Sequence, residues 1–227
     1  MWVYVRIFHL KQETILMANK IKAVIFDMDG VLIDAKDWHY DALNKALDIF
    51  GLTISRHEHL VTFDGLSTGQ KLKMLSKTYV LPESLHSFIN DMKQQYTMDI
   101  THQLCKPVFH HQYALSKLKE NGYKLAVASN SVRNTVKVMM EKSSLIEYLE
   151  FYLSNQDVSK SKPDPEIYNL AISKLGLLPK ECVIVEDNEN GIRAARASGA
   201  NVLEVDNIHD VTFDNIMNFI LEVEGEN

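Results

Sequence analysis

Five short runs of apolar and β-branched residues recur along the chain, with helical patterns around them. The first run, residues 21–26, ends in an acidic turn that contains a glycine, as expected of a buried parallel strand. The other runs cover residues 123–128, 151–153, 182–185 and 201–205. The helical patterns cover residues 110–120, 132–142, 166–175, 191–198 and 214–223. This alternation predicts an α/β fold with a parallel sheet and helices on both faces.

One connection in this pattern is much longer than a crossover helix needs, because the chain runs from Phe26 to about His110 before the next core helix begins. Three further helical patterns occupy that stretch, at residues 37–50, 68–79 and 83–101. They predict an inserted helical subdomain over residues 36–104, which leaves residues 20–35 and 105–227 as the core. The insertion follows the carboxyl end of the first strand, where open parallel sheets bind ligands. We therefore expect it to act as a lid.

Composition excludes several classes of protein. The 227 residues are 46% hydrophobic and 24% charged, which is ordinary for a globular protein that buries a core. The net charge of -6 provides no basic surface for a phosphate backbone, so nucleic acid is not an expected partner. The two cysteines, Cys105 and Cys182, have no second thiol or histidine at metal-binding spacing. A disulfide framework and a zinc site are therefore not expected.

The first 19 residues lie outside the repeating pattern. Arg6, His9 and Lys11 interrupt their apolar residues and no small-residue cleavage site follows, so we interpret them as neither a signal peptide nor a membrane span. Residues 2–8 resemble a strand and Met17 lies just before the first core strand, so this extension is either an added strand or a start upstream of the native one. No apolar stretch of 18 residues occurs, and we expect a cytoplasmic protein with no membrane partner.

Polar residues of chemically useful types follow four of the predicted strands. They are Asp27, Asp29 and Gly30; Ser129, Asn130 and Ser131; Lys162, Pro163 and Asp164; and Glu186 and Asp187. Each group alone has an ordinary interpretation: Asp27 would begin a turn, Ser129 would cap the next helix, and Glu186 would be a solvated strand end. Because the carboxyl ends of parallel strands meet at one edge of a sheet, their joint occurrence in this order favours a single functional site.

Asp27 is the candidate nucleophile of this site. A carboxylate can attack phosphorus to form an aspartyl-phosphate, which splits one hard displacement into two easier ones. A carboxylate is repelled by an anionic phosphate, and a hard cation such as Mg²⁺, held by a few carboxylates and by substrate oxygens, relieves that repulsion. We expect Asp27, Glu186 and Asp187 to supply metal ligands, together with a backbone carbonyl near Asp29.

The remaining candidates would assist this nucleophile. Asp29 stands two residues from it and would protonate the leaving oxygen and later activate water. The Ser129 hydroxyl, nearby backbone amides and the Lys162 ammonium would balance charge on the transferring oxygens, and Asn130 is a further candidate for phosphate binding. Gly30 would let the chain turn sharply after the two acids.

These motifs resemble those of the haloacid dehalogenase superfamily, in the subgroup similar to β-phosphoglucomutase and small sugar-phosphate phosphatases. Residues 27–34 are similar to the nucleophile motif over its whole length, and the other three motifs are matched by Ser129, Lys162, Glu186 and Asp187, followed by Gly191. The resemblance spans about residues 21–206. It implies a Rossmann-like core, a helical cap inserted after the first motif, Mg²⁺, and Asp27 as phospho-acceptor. The acid at Asp29 indicates a phosphate-transferring enzyme, since the dehalogenases of the family lack an acid there.

Within the cap, the resemblance indicates four candidate substrate-binding residues. His39 falls where related enzymes carry a hinge histidine, and Gly65, Thr68 and Lys71 belong to a segment similar to the substrate-facing loop. The mutases have an arginine near Thr68 that this chain lacks. Lys71 would replace it only if its side chain turned inward, and the favoured interpretation is an exposed helix lysine. The remaining clustered polar residues are interpreted as surface positions rather than metal ligands: His57, Glu58, His59, His110 and His111.

The sequence thus predicts a magnesium-dependent phosphatase that hydrolyses a small phosphorylated metabolite, such as a sugar phosphate, through an aspartyl-phosphate. A sugar phosphomutase that works through a bisphosphate is the second hypothesis, and the missing cap arginine favours hydrolysis. A non-catalytic phospho-receiver or ligand-binding module is the third, and the lid and Asp29 argue against it. The residues indicate neither one substrate nor an oligomeric state.

Overall fold

The fold is given by a computed structural model that describes residues 20–63 and 65–225. Five parallel strands form one sheet in the order β3-β2-β1-β4-β5. The strands are β1 (Ala23–Phe26), β2 (Lys124–Ala128), β3 (Phe151–Leu153), β4 (Cys182–Glu186) and β5 (Asn201–Glu204). The helices are α1 (Lys36–Asp48), α2 (Arg56–Glu58), α3 (Thr68–Thr78), α4 (His86–Leu104), α5 (Phe109–Glu120), α6 (Arg133–Lys142), α7 (Glu166–Leu175), α8 (Glu189–Ala197) and α9 (Phe213–Glu224). The predicted α/β class and parallel sheet are confirmed.

The central strand β1 is buried on both faces, which explains its continuous apolar sequence. Val24 and Phe26 pack into one hydrophobic cluster with residues of α5, α6 and α9, and Ala23 and Ile25 pack into a second with residues of α7 and α8. β2 and β4 pair with β1 on either side, in registers that join Phe26 to Val127 and to Val185. The residue after Phe26 therefore emerges at the middle of the sheet edge.

Helices α1 to α4 form the insertion between β1 and α5. They enclose a third hydrophobic cluster, which begins at Leu43 and ends at Ile89 and is separate from the two clusters of the sheet. Ser67 begins α3 with a capping box in which its hydroxyl accepts from the Gln70 amide and the Gln70 side chain accepts from the Ser67 amide. Among the described residues, no helix is both long and apolar enough to cross a bilayer.

The predicted elements agree with the structure to within a few residues at most ends. The predicted helix over 83–101 is a 3₁₀ turn, Glu83–Leu85, followed by α4, which is three residues longer at its carboxyl end. The short α2 and the π-helical turn His59–Phe63 after it were not predicted. Each is too short to show the apolar periodicity that indicates a helix. The predictions for residues 1–19 lie outside the described residues.

Three surface predictions are wrong. His59 is buried in the insertion, with its ring edge-on to Tyr40 at a centroid distance of 5.3 Å. His111 is buried under the core, where its Nε2 lies 2.8 Å from the Ile208 carbonyl oxygen, because α5 places it on the same face as Ala114 and Leu115. Lys71 is buried as well, in the first turn of α3.

Candidate active site

The four polar groups predicted from the sequence do meet at the carboxyl edge of the sheet. Asp27 continues β1, with its amide donating to the Val185 carbonyl, and Ser129 continues β2 in the same way toward Leu153. Glu186 is the last residue of β4, and Lys162 lies in the loop that follows β3. Residues separated by about 160 positions in the chain thereby become neighbours.

Lys162 is the cation at the centre of this edge. Its ammonium lies 2.6 Å from Asp27 Oδ1 and 2.7 Å from Glu186 Oε1, and the lysine is only 3% exposed. The Tyr168 hydroxyl donates to the same Glu186 oxygen at 2.5 Å. Burial lowers the pKa of Lys162, but the two carboxylates together raise it by a larger amount. The pKa of Lys162 is therefore above the usual lysine value. The ammonium therefore stays charged beside the nucleophile.

The Asp27 carboxyl is in an environment that opposes its charge. Burial has the largest effect on the pKa of Asp27 and raises it. The charge of Lys162 lowers this pKa, and the charges of the neighbouring acids, of which Glu186 has the largest effect, raise it. The net pKa is well above the ordinary aspartate value. A divalent cation at this point would favour the ionised nucleophile by the same electrostatic reasoning.

Three carboxylates form a group that fits such a cation. Asp27, Glu186 and Asp187 each offer an oxygen, and these oxygens lie within 4.8 Å of one another. An all-oxygen set of this kind suits Mg²⁺. Two glycines make room for it, because an added methyl at Gly191 would overlap the Glu186 carboxylate and one at Gly30 would overlap that of Asp187.

The Asp29 carboxylate lies outside that group. Oδ1 lies 3.0 Å from His39 Nε2, and Oδ2 accepts from the Ser131 hydroxyl at 2.8 Å and, more weakly, from Ser129 at 3.4 Å. Burial alone would raise its pKa, but His39, Ser131 and Lys93 together lower it. Asp29 is therefore ionised and fixed in direction, and its expected contribution to a metal, through a backbone carbonyl, stays a prediction.

A hydrogen-bonded chain links Asp29 to the insertion. The Nε2 atom of His39, in α1, contacts the Asp29 carboxylate. The Nδ1 atom of the same ring lies 3.1 Å from the Lys93 ammonium in α4. Burial and the neighbouring Lys93 lower the pKa of His39, although Asp29 acts in the opposite direction. The imidazole thus joins a cap lysine to the acid–base candidate of the core.

The loop before α3 contacts the core directly. Asn130 donates from Nδ2 to the Gly65 carbonyl at 3.0 Å, and its Oδ1 accepts from the Lys162 amide at 3.1 Å. Gly65 has a φ of +72°, and a side chain there would also overlap Asn188. The insertion is closed over the sheet edge at this point.

Between the insertion and the sheet edge lies a cavity of about 400 Å³. It is lined by the nucleophile, the acid–base candidate and all four predicted cap residues: Asp27, Asp29, His39, Gly65, Thr68 and Lys71. Asn130 and Ser131 also line it, whereas the buried Ser129 does not; the proposed role of Ser129 in phosphate binding stays a prediction.

Three contributors were missed by the sequence interpretation. Tyr168 reads as an ordinary core residue of α7, and no pattern reveals its hydroxyl contact. Lys36, whose ammonium lies 2.7 Å from Asp187, occupies the first position of α1 and resembles a solvated residue. Lys93 lies on a four-residue spacing with Ile89, Thr97 and Thr101 that is buried throughout, but three of these four residues are polar, so the sequence shows no apolar stripe there.

Comparisons with known proteins agree with this arrangement. A family model described as haloacid dehalogenase-like hydrolase matches residues 24–205. The phosphorylated carbohydrates phosphatase of Thermotoga maritima is 27% identical over 179 residues, which cover 79% of this chain and 82% of that protein. The pyrophosphatase PpaX of Bacillus pumilus is 28% identical over 190 residues, which cover 82% of this chain and 84% of that protein.

Solved structures share the fold. A crystal structure of β-phosphoglucomutase from Clostridium difficile superimposes with a TM-score of 0.77 at 23% identity, over 89% of this chain and 98% of that one. At this identity the likeness extends to the fold alone.

Proposed function

Because this chain belongs to the haloacid dehalogenase-like hydrolase family, we propose that it is a magnesium-dependent phosphatase that hydrolyses a small phosphomonoester, such as a sugar phosphate. The observation that carries the proposal is the joint position of Asp27 and Lys162, with an ammonium 2.6 Å from the carboxylate that would attack phosphorus. The names of the relatives, a carbohydrate phosphate phosphatase and a pyrophosphatase, support phosphate release as the reaction class.

In the first step, an Asp27 carboxylate oxygen forms a bond to phosphorus while the bond from phosphorus to the leaving oxygen breaks. Lys162 balances charge on the transferring group, and bound Mg²⁺ would supply the electrostatic attraction that lets the anionic nucleophile approach an anionic phosphate. The leaving oxygen takes its proton from Asp29. The incoming dianion opposes a charge on Asp29, so Asp29 takes up a proton from solvent as the substrate binds, before it acts as the acid.

In the second step, water attacks the phosphorus of phospho-Asp27 and gives a proton to Asp29. Phosphate is released, and Asp27 returns to its starting state. His39 and Ser131 hold the Asp29 carboxylate in one direction through both steps. The closed insertion limits bulk water around the phospho-aspartate, which confines hydrolysis to the water that Asp29 activates.

The Asp27→Asn variant tests this proposal. We expect phosphate release from 4-nitrophenyl phosphate with Mg²⁺ to fall by at least about 10³-fold, because an amide cannot form the phospho-enzyme. Asp48→Asn, an exposed aspartate at the end of α1, is the matched control. Thermal unfolding of both variants reports whether the fold is kept. Wild-type turnover that persists in excess chelator, or full turnover of Asp27→Asn, would remove the assignment.

A phosphomutase is a second candidate, and one observation favours it. Lys71, rather than lying exposed, faces the cavity from the segment where mutases carry an arginine. Incubation with β-glucose 1-phosphate and a trace of the 1,6-bisphosphate separates the two reactions. A mutase yields glucose 6-phosphate, and a phosphatase yields free phosphate and glucose.

A further inference from the structure

Tyr168 carries a hydroxyl group into a buried part of the core. Its side chain is fully buried in α7 and belongs to the hydrophobic cluster that also contains Ala171 and Ile184. A buried hydroxyl costs free energy unless it finds a hydrogen-bond partner, and a phenylalanine would fill the same space without that requirement. Packing alone therefore does not account for a tyrosine at this position.

The partner of this hydroxyl is Glu186, which is one of the three candidate metal ligands. The Tyr168 hydroxyl donates to Glu186 Oε1 at 2.5 Å, and both side chains are buried. A tyrosine hydroxyl keeps its proton near neutral pH, whereas an ionised carboxylate can only accept. The bond therefore has one direction, from the tyrosine to the acid.

The two oxygens of the Glu186 carboxylate are engaged differently. Oε1 accepts from the Tyr168 hydroxyl at 2.5 Å and from the Lys162 ammonium at 2.7 Å. Oε2 accepts from the Asp187 amide at the longer distance of 3.2 Å. Each carboxylate oxygen has two lone pairs, so the two short bonds fill those of Oε1. Oε2 is therefore the oxygen that is better suited to coordinate a cation.

The neighbours of this carboxylate leave it little room to turn. An added methyl at Gly191 would overlap both of its oxygens, so the backbone of α8 lies close against it. The ring of Tyr168 also contacts Lys162, whose ammonium lies 4.6 Å from the ring centroid. Tyr168 thus contacts the lysine through its ring and the acid through its hydroxyl.

We propose that Tyr168 is a positioning residue whose hydroxyl fixes the Glu186 carboxylate so that Oε2 is directed toward the divalent cation. This inference rests on the proposed function, since the cation is the Mg²⁺ of the phosphatase reaction. Tyr168 acts on the cation through Glu186. A donor that fixes a carboxylate ligand in advance raises metal affinity, because the ligand loses less freedom when the cation binds.

The Tyr168→Phe variant isolates the hydroxyl, because it keeps the ring that contacts Lys162. We expect Mg²⁺ affinity, measured by isothermal titration of the metal-free protein with MgCl₂, to fall by about 10- to 100-fold. Tyr79→Phe is the matched control, since the Tyr79 hydroxyl also donates to a carboxylate, that of Glu58 in the insertion, at 3.3 Å. This control should leave the affinity unchanged. An unchanged affinity in Tyr168→Phe, or an equal loss in both variants, would overturn the proposal.

A second experiment separates positioning from a general loosening of the site. Glu186→Ala removes the side chain through which Tyr168 would act, so adding Tyr168→Phe to it should lower the remaining Mg²⁺ affinity by less than about 2-fold. The stabilisation that MgCl₂ provides against urea unfolding, at concentrations up to about 50 mM, measures these weaker affinities. A loss as large in the Glu186→Ala background as in the wild type would reject the positioning role.

Metal binding and turnover separate this inference from the proposed reaction. A lower Mg²⁺ affinity in Tyr168→Phe supports the positioning role even if the wild-type protein releases no phosphate from 4-nitrophenyl phosphate. Phosphate release by the wild type, together with equal Mg²⁺ affinities in the wild type and Tyr168→Phe, supports the proposed function and rejects this inference. A wild-type protein that binds no Mg²⁺ rejects it as well.

Discussion

The two walls of the cavity, the sheet edge and the insertion, differ in the charged side chains that they carry. On the sheet edge, Lys162 contacts Asp27 and Glu186, and Lys36 contacts Asp187. On the cap wall, which is the side that the insertion contributes, Lys71 and Lys93 are both buried and the charge of Lys71 lowers the pKa of Lys93. The sheet edge is thus rich in carboxylates, as a cation site requires, whereas lysines line the cap wall. We therefore expect the chemistry to take place at the first wall and substrate selection at the second.

The largest expected effect comes from breaking the balance of the sheet edge. Lys162→Met leaves Asp27 and Glu186 buried without their cation, and we expect the free energy of unfolding to fall by about 3–5 kcal/mol in metal-free buffer. Added Mg²⁺ should restore part of the loss, since it would compensate the same acids. Urea unfolding in chelator and in Mg²⁺ measures both quantities.

Lys160→Met is the control for that experiment. Lys160 is exposed and lies 3.6 Å from Asp164, so its loss should change the free energy of unfolding by less than about 1 kcal/mol. Equal losses in the two variants would show that the buried ion pairs are no more important than a surface pair.

A smaller effect sharpens the comparison without removing any charge. Gly191→Ala inserts a methyl that overlaps the Glu186 carboxylate, and we expect Mg²⁺ affinity to fall by about 10- to 100-fold. Isothermal titration with MgCl₂ measures it. Gly69→Ala on the cap side is the matched control, because an added Cβ there meets no atom within 4 Å. An unchanged affinity in Gly191→Ala would mean that Glu186 contributes no ligand.

The smallest effect concerns the cap wall. The folded protein releases the Lys93 proton near pH 7, whereas the unfolded chain holds it to about pH 10.5, so the unfolded state binds more protons between these values. The free energy of unfolding should therefore rise with pH, by about 1 kcal/mol from pH 7 to pH 8. Lys93→Met should lose this rise and Lys77→Met, an exposed lysine, should keep it. Parallel urea profiles for wild type and Lys93→Met across that range would contradict the lowered pKa.

The sheet edge was predictable from the sequence because its residues follow strands that are easy to recognise. Asp27 and Glu186 come directly after, or at the end of, an apolar run, Lys162 lies in the loop that follows another, and parallel strands must end together. The role of Tyr168 was not predictable, since in the sequence it resembles any aromatic core residue of α7. Only the fold shows that its hydroxyl contacts Glu186. The direction of Lys71 was equally hidden, because it lies one residue before Leu72 and four before Leu75, and the buried stripe of α3 can be drawn with or without it.

The buried histidines show where the surface interpretation failed. His111 shares a helical face with Leu115 and Leu118, so its burial follows from the same spacing that predicted α5. His59 lies in a π-helical turn, whose widened spacing breaks the usual periodicity. No residue pattern of ordinary helices would have placed it inside.

The separate hydrophobic cluster of the insertion has a consequence for how the sequence of such a chain can change during evolution. Substitutions at distant, independently packed sites have nearly additive effects on stability, and a region with its own core can open or loosen as a unit. The cluster from Leu43 to Ile89 shares no members with those that hold β1. Mutations can therefore accumulate in the packing of the insertion while the strand that carries Asp27 at its end remains undisturbed.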